Sequence, residues 1–150
     1  MRSRQSRLRI LLDTSFILPS LGIDVGREAV ECLKKLAEAG AEILYSRFSI
    51  LEGLWVIAKL TGGVVDDAFN TGLRSIMESG RYVEVKEDPL VFSEALRLYA
   101  LGHRDMVDNI LYASSVHFDL KLLTLDNELK KFVLEKKLRD TLITPSQLTF

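Results

Sequence analysis

Apolar residues along this chain follow two patterns. Short unbroken apolar runs alternate with longer stretches in which apolar positions recur every three or four residues. The first pattern reads as a buried strand and the second as an amphipathic helix. Leu8 to Leu12 is a run of the first kind and ends at Asp13-Thr14-Ser15, which predicts a strand stopping at Asp13. Gly26 to Ala39 has helical period, with Ala29, Leu33, Leu36 and Ala37 on one face and Glu28, Lys34, Lys35 and Glu38 on the other. Gly40 suits the left-handed position that ends such a helix. Strands follow at Ala41 to Tyr45, Tyr82 to Lys86, Lys121 to Leu125 and Thr141 to Thr144. Helices are expected over Arg47 to Leu60, Val64 to Ser79, Pro89 to Leu101, Asp105 to Phe118 and Asn127 to Lys137.

Strands alternating with helices point to an α/β fold with a mainly parallel sheet. In such sheets, function gathers beyond the carboxyl ends of the strands, near the reversal of strand order. Asp13 and Asp126 both leave an apolar strand at that kind of edge. Pro19, Pro89 and Pro145 are scattered and no repeat or linker interrupts the pattern, so residues 8–150 read as one domain. Residues 1–7 read as a basic, flexible arm.

Composition narrows the function. The 20 Lys and Arg against 21 Asp and Glu exclude a generic polycation that holds nucleic acid by bulk charge. A nuclease stays open, because acidic ligands offset basic contacts in the sum. The single cysteine, Cys32, excludes a disulfide framework and any multi-cysteine metal site, and reads as structural. A reducing, cytoplasmic setting is expected. The longest apolar stretch, Phe48 to Leu60, is broken by Glu52 and Lys59 and is too short to cross a membrane. Asp13 follows the first apolar run too soon for an export signal.

The acids carry the chemistry. Asp13 and Asp126 cost free energy at a strand exit unless they cap a helix or bind a cation. Glu52 is the one acid in an apolar stretch, and a carboxylate so placed has a raised pKa or finds a cation. Asp105 and Asp108 stand three apart at a helix start, where capping and ligation are both available. Carboxylates gathered at one sheet edge repel, and a hard divalent cation with oxygen ligands, Mg²⁺ or Mn²⁺, relieves that repulsion.

The pieces LLDTSFIL (Leu11 to Leu18), SILEGLWV (Ser49 to Val56), DNILYASSVHFDLKLLTLD (Asp108 to Asp126) and NELKKF to Phe132 together resemble the PIN domain family. The resemblance implies a central five-stranded parallel sheet flanked by helices, and an acid cluster holding Mg²⁺ or Mn²⁺. It implies an endoribonuclease that hydrolyses RNA phosphodiesters. Its catalytic acids fall on Asp13, Glu52, Asp108 and Asp126, with Asp105 as accessory ligand or cap. Thr14, Ser15 and Thr124 match positions that set hydroxyls near the acids. Size and the lack of a further domain look like a VapC-type toxin of a toxin–antitoxin pair. That likeness implies an antitoxin partner and a homodimer. An RNA-processing PIN nuclease and a non-catalytic RNA- or protein-binding PIN module are the alternatives.

The overall charge leaves RNA attraction to local cations. Arg47 and Arg104 lie near the proposed ligands in sequence, and Arg2, Arg4, Arg7 and Arg9 are a second source. His103 and His117 are acid–base candidates that the mechanism does not require. Trp55 reads as a core residue, with an interface as the other reading. A receiver-type phosphoacceptor is disfavoured, because Glu84 and Lys86 do not supply its pattern. A haloacid dehalogenase-like phosphatase fails at Asp13-Thr14-Ser15, where it needs a second acid.

Overall fold

The computed structural model describes residues 7–148. Five parallel strands, β1 (Arg9–Leu12), β2 (Glu42–Tyr45), β3 (Tyr82–Glu84), β4 (Lys121–Leu123) and β5 (Leu142–Ile143), form one sheet in the order β3-β2-β1-β4-β5. The helices are α1 (Thr14–Ile17), α2 (Arg27–Glu38), α3 (Arg47–Thr61), α4 (Asp67–Met77), α5 (Pro89–Leu101), α6 (Met106–His117) and α7 (Asn127–Glu135). Short 3₁₀ turns cover Leu18–Leu21 and Pro145–Gln147.

Strand pleating splits the core in two. Leu11, Leu44 and Leu122 face one side, where Val91, Ala95 and Leu98 of α5, Ile110 and Leu111 of α6, and Leu129 and Val133 of α7 cover them. Ile10, Leu12, Ile43, Tyr45 and Leu123 face the other, under Phe16 and Ile17, Ala29 and Leu36 of α2, Ile57 of α3 and Ile76 of α4. Central strands apolar on both faces are what a parallel sheet with helices on both sides demands. Each buried aliphatic side chain contributes about 1.5–3 kcal/mol relative to exposure. The chain leaves β1 in opposite directions across the sheet, toward β2 and β3 and toward β4 and β5. The strand order therefore reverses between β1 and β4.

Several element ends differ from the sequence pattern, each for a local reason. The stretch after Asp13 turns at once into α1, because the Asp13 carboxylate accepts the Ser15 N–H at 2.9 Å and Phe16 and Ile17 bury fully. The helix expected from Val64 begins at Asp67, where Asp66 caps it through the Phe69 N–H at 2.8 Å. β4 stops at Leu123 and α7 at Glu135, just before Lys137 takes a positive φ of 55°. Gly40 (φ 71°) closes α2 as expected, its N–H bonding to Ala37 O and the Ala41 N–H to Leu36 O.

Trp55 is not in the core; it is 60% exposed. The inward line of α3 is Ser49, Gly53 and Ile57, and a Cβ at Gly53 would stand 3.3 Å from Leu21 Cδ1. That close approach places small residues against the domain and turns Trp55 outward.

Arg7 and Arg9 belong to the edge opposite the strand exits. Arg7 Nε donates to Gly40 O at 3.0 Å, and Arg9 meets Phe118 O at 3.3 Å and Glu42 at 3.6 Å. Arg2, Arg4 and the rest of the arm to residue 6 lie outside the described residues.

Candidate acidic site

Helix starts bring the acids together. Asp13, Asp105 and Asp126 are the N-caps of α1, α6 and α7, and Asp108 sits in the first turn of α6. Asp105 accepts the Asp108 N–H at 3.1 Å, and Asp126 accepts from Glu128 and Leu129 at 2.9 and 3.3 Å. Each cap satisfies amides that a helix start leaves open and fixes one carboxylate oxygen. The positive ends of the three helices also moderate the gathered negative charge.

Asp13, Thr14, Ser15, Glu52, Asp105, Asp108, Leu125 and Asp126 line one cleft of about 290 Å³ beyond the carboxyl ends of β1 and β4. The structure thus brings all five candidate acids to one place. Glu52 reaches it from α3 and does not pair with Lys59 among the described residues. Leu125, which the sequence pattern did not single out, enters because the chain from β4 to the Asp126 cap forms part of the wall.

The hydroxyls divide by role. Thr124 is buried below the cleft, where its Oγ1 accepts the Asp126 N–H at 2.9 Å and its own N–H donates to Ile143 O at 3.0 Å. It thereby ties the β4 exit to β5. Thr14 lines the cleft with its Oγ1 buried and without a hydrogen-bond partner. Ser15 contributes its backbone N–H to Asp13.

Burial and mutual repulsion disturb the acids. Asp13 is 6% exposed, and desolvation pushes its pKa from 3.8 up to about 6. The Thr124 hydroxyl and the backbone near Ser15 and Leu125 oppose that rise, while Asp126 adds to it. Desolvation first, then the Asp126 carboxyl and the charges of Asp105 and Asp13, push Asp108 up to about 9. Glu52 is raised by desolvation, with Asp105 adding. With no cation beside it, Asp108 is pushed toward its protonated form at neutral pH.

These residues fit a divalent cation by donor chemistry. The cleft offers carboxylate and hydroxyl oxygens and includes no cysteine, histidine, lysine or arginine. A carboxyl that keeps a proton to relieve repulsion marks a place where a cation gives the same relief. Among the described residues, no three His, Cys, Asp or Glu side chains form a ready-made ligand group. The carboxylates stand around the cleft walls and do not meet at one point.

The remaining polar candidates lie elsewhere. Arg47 opens α3 and pairs with Glu84 at 3.7 Å, and Arg104 lies over the Tyr99 ring at 4.5 Å; neither lines the cleft. His117 meets Asp88 at 2.6 Å. His103 is half-buried beside the start of α6 and bonds to Asn109. Cys32 is buried.

Comparison with known proteins agrees with this architecture. A toxin–antitoxin complex from Klebsiella pneumoniae superposes with a TM-score of 0.61 at 16% identity, covering 93% of this chain and 99% of that one. VapBC2 from Rickettsia felis, bound to a promoter DNA fragment, gives 0.65 at 13%, covering 91% and 98%. VapC20 of Mycobacterium tuberculosis, a sarcin–ricin loop cleaving toxin, gives 0.60 at 16%, covering 81% and 93%. At these identities the likeness establishes the fold. No curated protein sequence matches the chain. The PIN domain profile matches residues 10–133, a span that runs from β1 through the acids of α3, α6 and the β4 exit to α7. By that match, and with this sheet order and acid placement, the chain belongs to the PIN domain family.

Proposed function

We propose that this protein is a metal-dependent endoribonuclease of PIN type that serves as the toxin of a toxin–antitoxin pair. The observation that carries the reading is the gathering of Asp13, Glu52, Asp108 and Asp126 in one cleft whose lining includes no cationic side chain. Asp13, Asp108 and Asp126 would hold Mg²⁺ or Mn²⁺, with Glu52 acting through water and Asp105 as cap and accessory ligand. The bound ion supplies Lewis acidity, activating water for attack on phosphorus and neutralising charge on the phosphodiester.

The chain's own residues prepare the site. The α1, α6 and α7 amides orient Asp13, Asp105 and Asp126, so little reorganisation remains when the ion arrives. Asp108 would have to give up its proton to hold the ion, so cation affinity would rise with pH. The unpartnered Thr14 Oγ1 is a donor available to a substrate phosphate. In-line attack by water leaves a 5′-phosphate and a 3′-hydroxyl.

The toxin assignment draws on the likeness to toxin–antitoxin proteins and to VapC20. A homodimer fits the exposed apolar surface. Leu51 and Trp55 of α3 and Phe92, Leu96 and Tyr99 of α5 are exposed, and the two helices touch through the Phe48–Phe92 edge-to-face contact at 5.7 Å. Apolar surface of this kind marks an interaction site. No helix among the described residues is long and apolar enough to cross a membrane.

The test is cleavage of single-stranded and hairpin RNAs with Mg²⁺, Mn²⁺ or EDTA, with Asp13→Asn and Asp108→Asn beside the parent. The expected result is cation-dependent cutting lost in both variants. Cutting by both variants at the parent's rate overturns the site. A folded parent that neither cuts nor binds a cation overturns the enzyme reading in favour of a binding module.

A further inference from the structure

Asn109 lies in the first turns of α6, beside Asp108, and its relative exposure is 0%. A buried primary amide is costly unless its polar atoms are paired. Here both of them go to one residue. Asn109 Nδ2 donates to the backbone carbonyl of His103 at 2.8 Å, and Asn109 Oδ1 lies 2.7 Å from His103 Nδ1. The carbonyl can only accept, so the amide's orientation is settled and Oδ1 must face the ring. His103 Nδ1 therefore carries the proton and donates it.

His103 stands two residues before the Asp105 cap. Its own N–H donates to Leu98 O, closing α5 after Gly102 (φ 120°). Its ring packs against Phe132 of α7, with centroids 5.1 Å apart. The amide clamp thus holds the entry to α6 from inside that helix, as an apolar staple does at other helix starts. It also ties that entry to α7, whose cap is Asp126. The entry to α6, which carries Asp105 and Asp108, thus meets the body of α7, the helix that Asp126 caps, through the Asn109–His103–Phe132 chain.

We propose that Asn109 and His103 are positioning residues for the acidic cleft, setting the separation of the α6 and α7 acids. The proposal rests on the cation-site reading above and adds residues that do not themselves line the cleft. Outer-shell groups that orient ligands commonly change metal affinity about 10- to 100-fold when removed.

The experiment compares the parent with Asn109→Leu, His103→Ala and His103→Asn. Leucine keeps the branched heavy-atom skeleton of Asn109 and removes both bonds. An asparagine at 103 keeps a donor near the Nδ1 position. Mn²⁺ affinity is read by electron paramagnetic resonance, amide hydrogen exchange by mass spectrometry across residues 102–110, and folding by circular dichroism. The expected result is about 10-fold or weaker Mn²⁺ binding in Asn109→Leu and His103→Ala, faster exchange at Asp105 to Asp108, and recovery to within about 3-fold in His103→Asn. Should Asn109→Leu fail to fold, the two His103 variants decide. Unchanged Mn²⁺ affinity in folded variants overturns the proposal, as does equal weakening in His103→Asn and His103→Ala. If the parent binds no Mn²⁺, the cation-site reading fails, and hydrogen exchange still judges the clamp: unchanged exchange across Asp105 to Asp108 overturns it.

Discussion

Replacing Asp13 by asparagine should stabilise the metal-free protein at pH 8, even though it removes a proposed ligand. Asparagine caps a helix about as well as aspartate, so the bond to the Ser15 N–H is retained. What the substitution removes is a buried charge. The Asp13 pKa lies near 6 in the folded protein against 3.8 ordinarily, a difference of about two units. At about 1.4 kcal/mol per unit, the ionised carboxylate costs roughly 3 kcal/mol, an upper figure because structural relaxation reduces it. Below pH 3.8 both folded and unfolded chains are protonated and the cost is absent. Between 3.8 and about 6 the unfolded chain releases its proton first, so stability falls as pH rises. Above about 6 the cost stands in full. For a chain of this size, each kcal/mol shifts the melting temperature by about 2–4 °C, so Asp13→Asn should gain at most about 6–12 °C. The assay is thermal unfolding by circular dichroism in EDTA at pH 4, 6 and 8. The gain should be near zero at pH 4 and largest at pH 8. Saturating Mg²⁺ should close most of the gap, because at a hundred times Kd the parent gains about 2.7 kcal/mol from binding. A variant less stable than the parent at pH 8 in EDTA, or a gap independent of pH, refutes the electrostatic reasoning.

Asp108→Asn should show the same pH trend over a wider range, since the Asp108 pKa reaches about 9; parallel melts from pH 4 to 9 check this. Gly72→Ala should destabilise the fold by about 1–3 kcal/mol or more, because its Cβ would stand 1.6 Å from Ser20 O where α4 crosses the 3₁₀ turn. Urea unfolding measures it, and a shift below about 0.5 kcal/mol contradicts that close packing. Leu96→Glu, at a site 64% exposed, should convert the proposed homodimer to monomer with little loss of monomer stability. Analytical ultracentrifugation reads the mass, and an unchanged dimer moves the interface off α5. Tyr112→Phe should cost about 1 kcal/mol in thermal unfolding, since the hydroxyl donates to Arg139 O at 2.5 Å.

Much of this molecule can be read from local order alone. Apolar runs such as Ile10, Leu11 and Leu12, and Leu122 and Leu123, buried on both faces, announce central parallel strands because only a sheet covered on both sides accepts them. Asp88 with Pro89, and Gly40, mark helix ends through contacts a few residues long. The acids Asp13 and Asp126 were legible for the same reason, since a charge at the exit of a buried strand needs a cap or a cation. Other features depend on distant neighbours. That Asp13, Glu52, Asp105, Asp108 and Asp126 line one cleft follows from the reversal of strand order between β1 and β4, which no single segment encodes. The raised pKa values of Asp13, Glu52 and Asp108 follow from that convergence and from burial. Trp55 points outward because Ser49 and Gly53 let α3 approach Leu21 on its other side, a choice made by packing and not by hydrophobicity. The pairing of Asn109 with His103 joins residues six apart across a helix start, and only the folded turn brings the amide to the ring. Sequence alone determined the elements and the residue types able to do the chemistry, because those depend on short-range propensity and solvation. Tertiary structure alone decided which of those residues meet, because that depends on how the strands are ordered and how closely the helices pack.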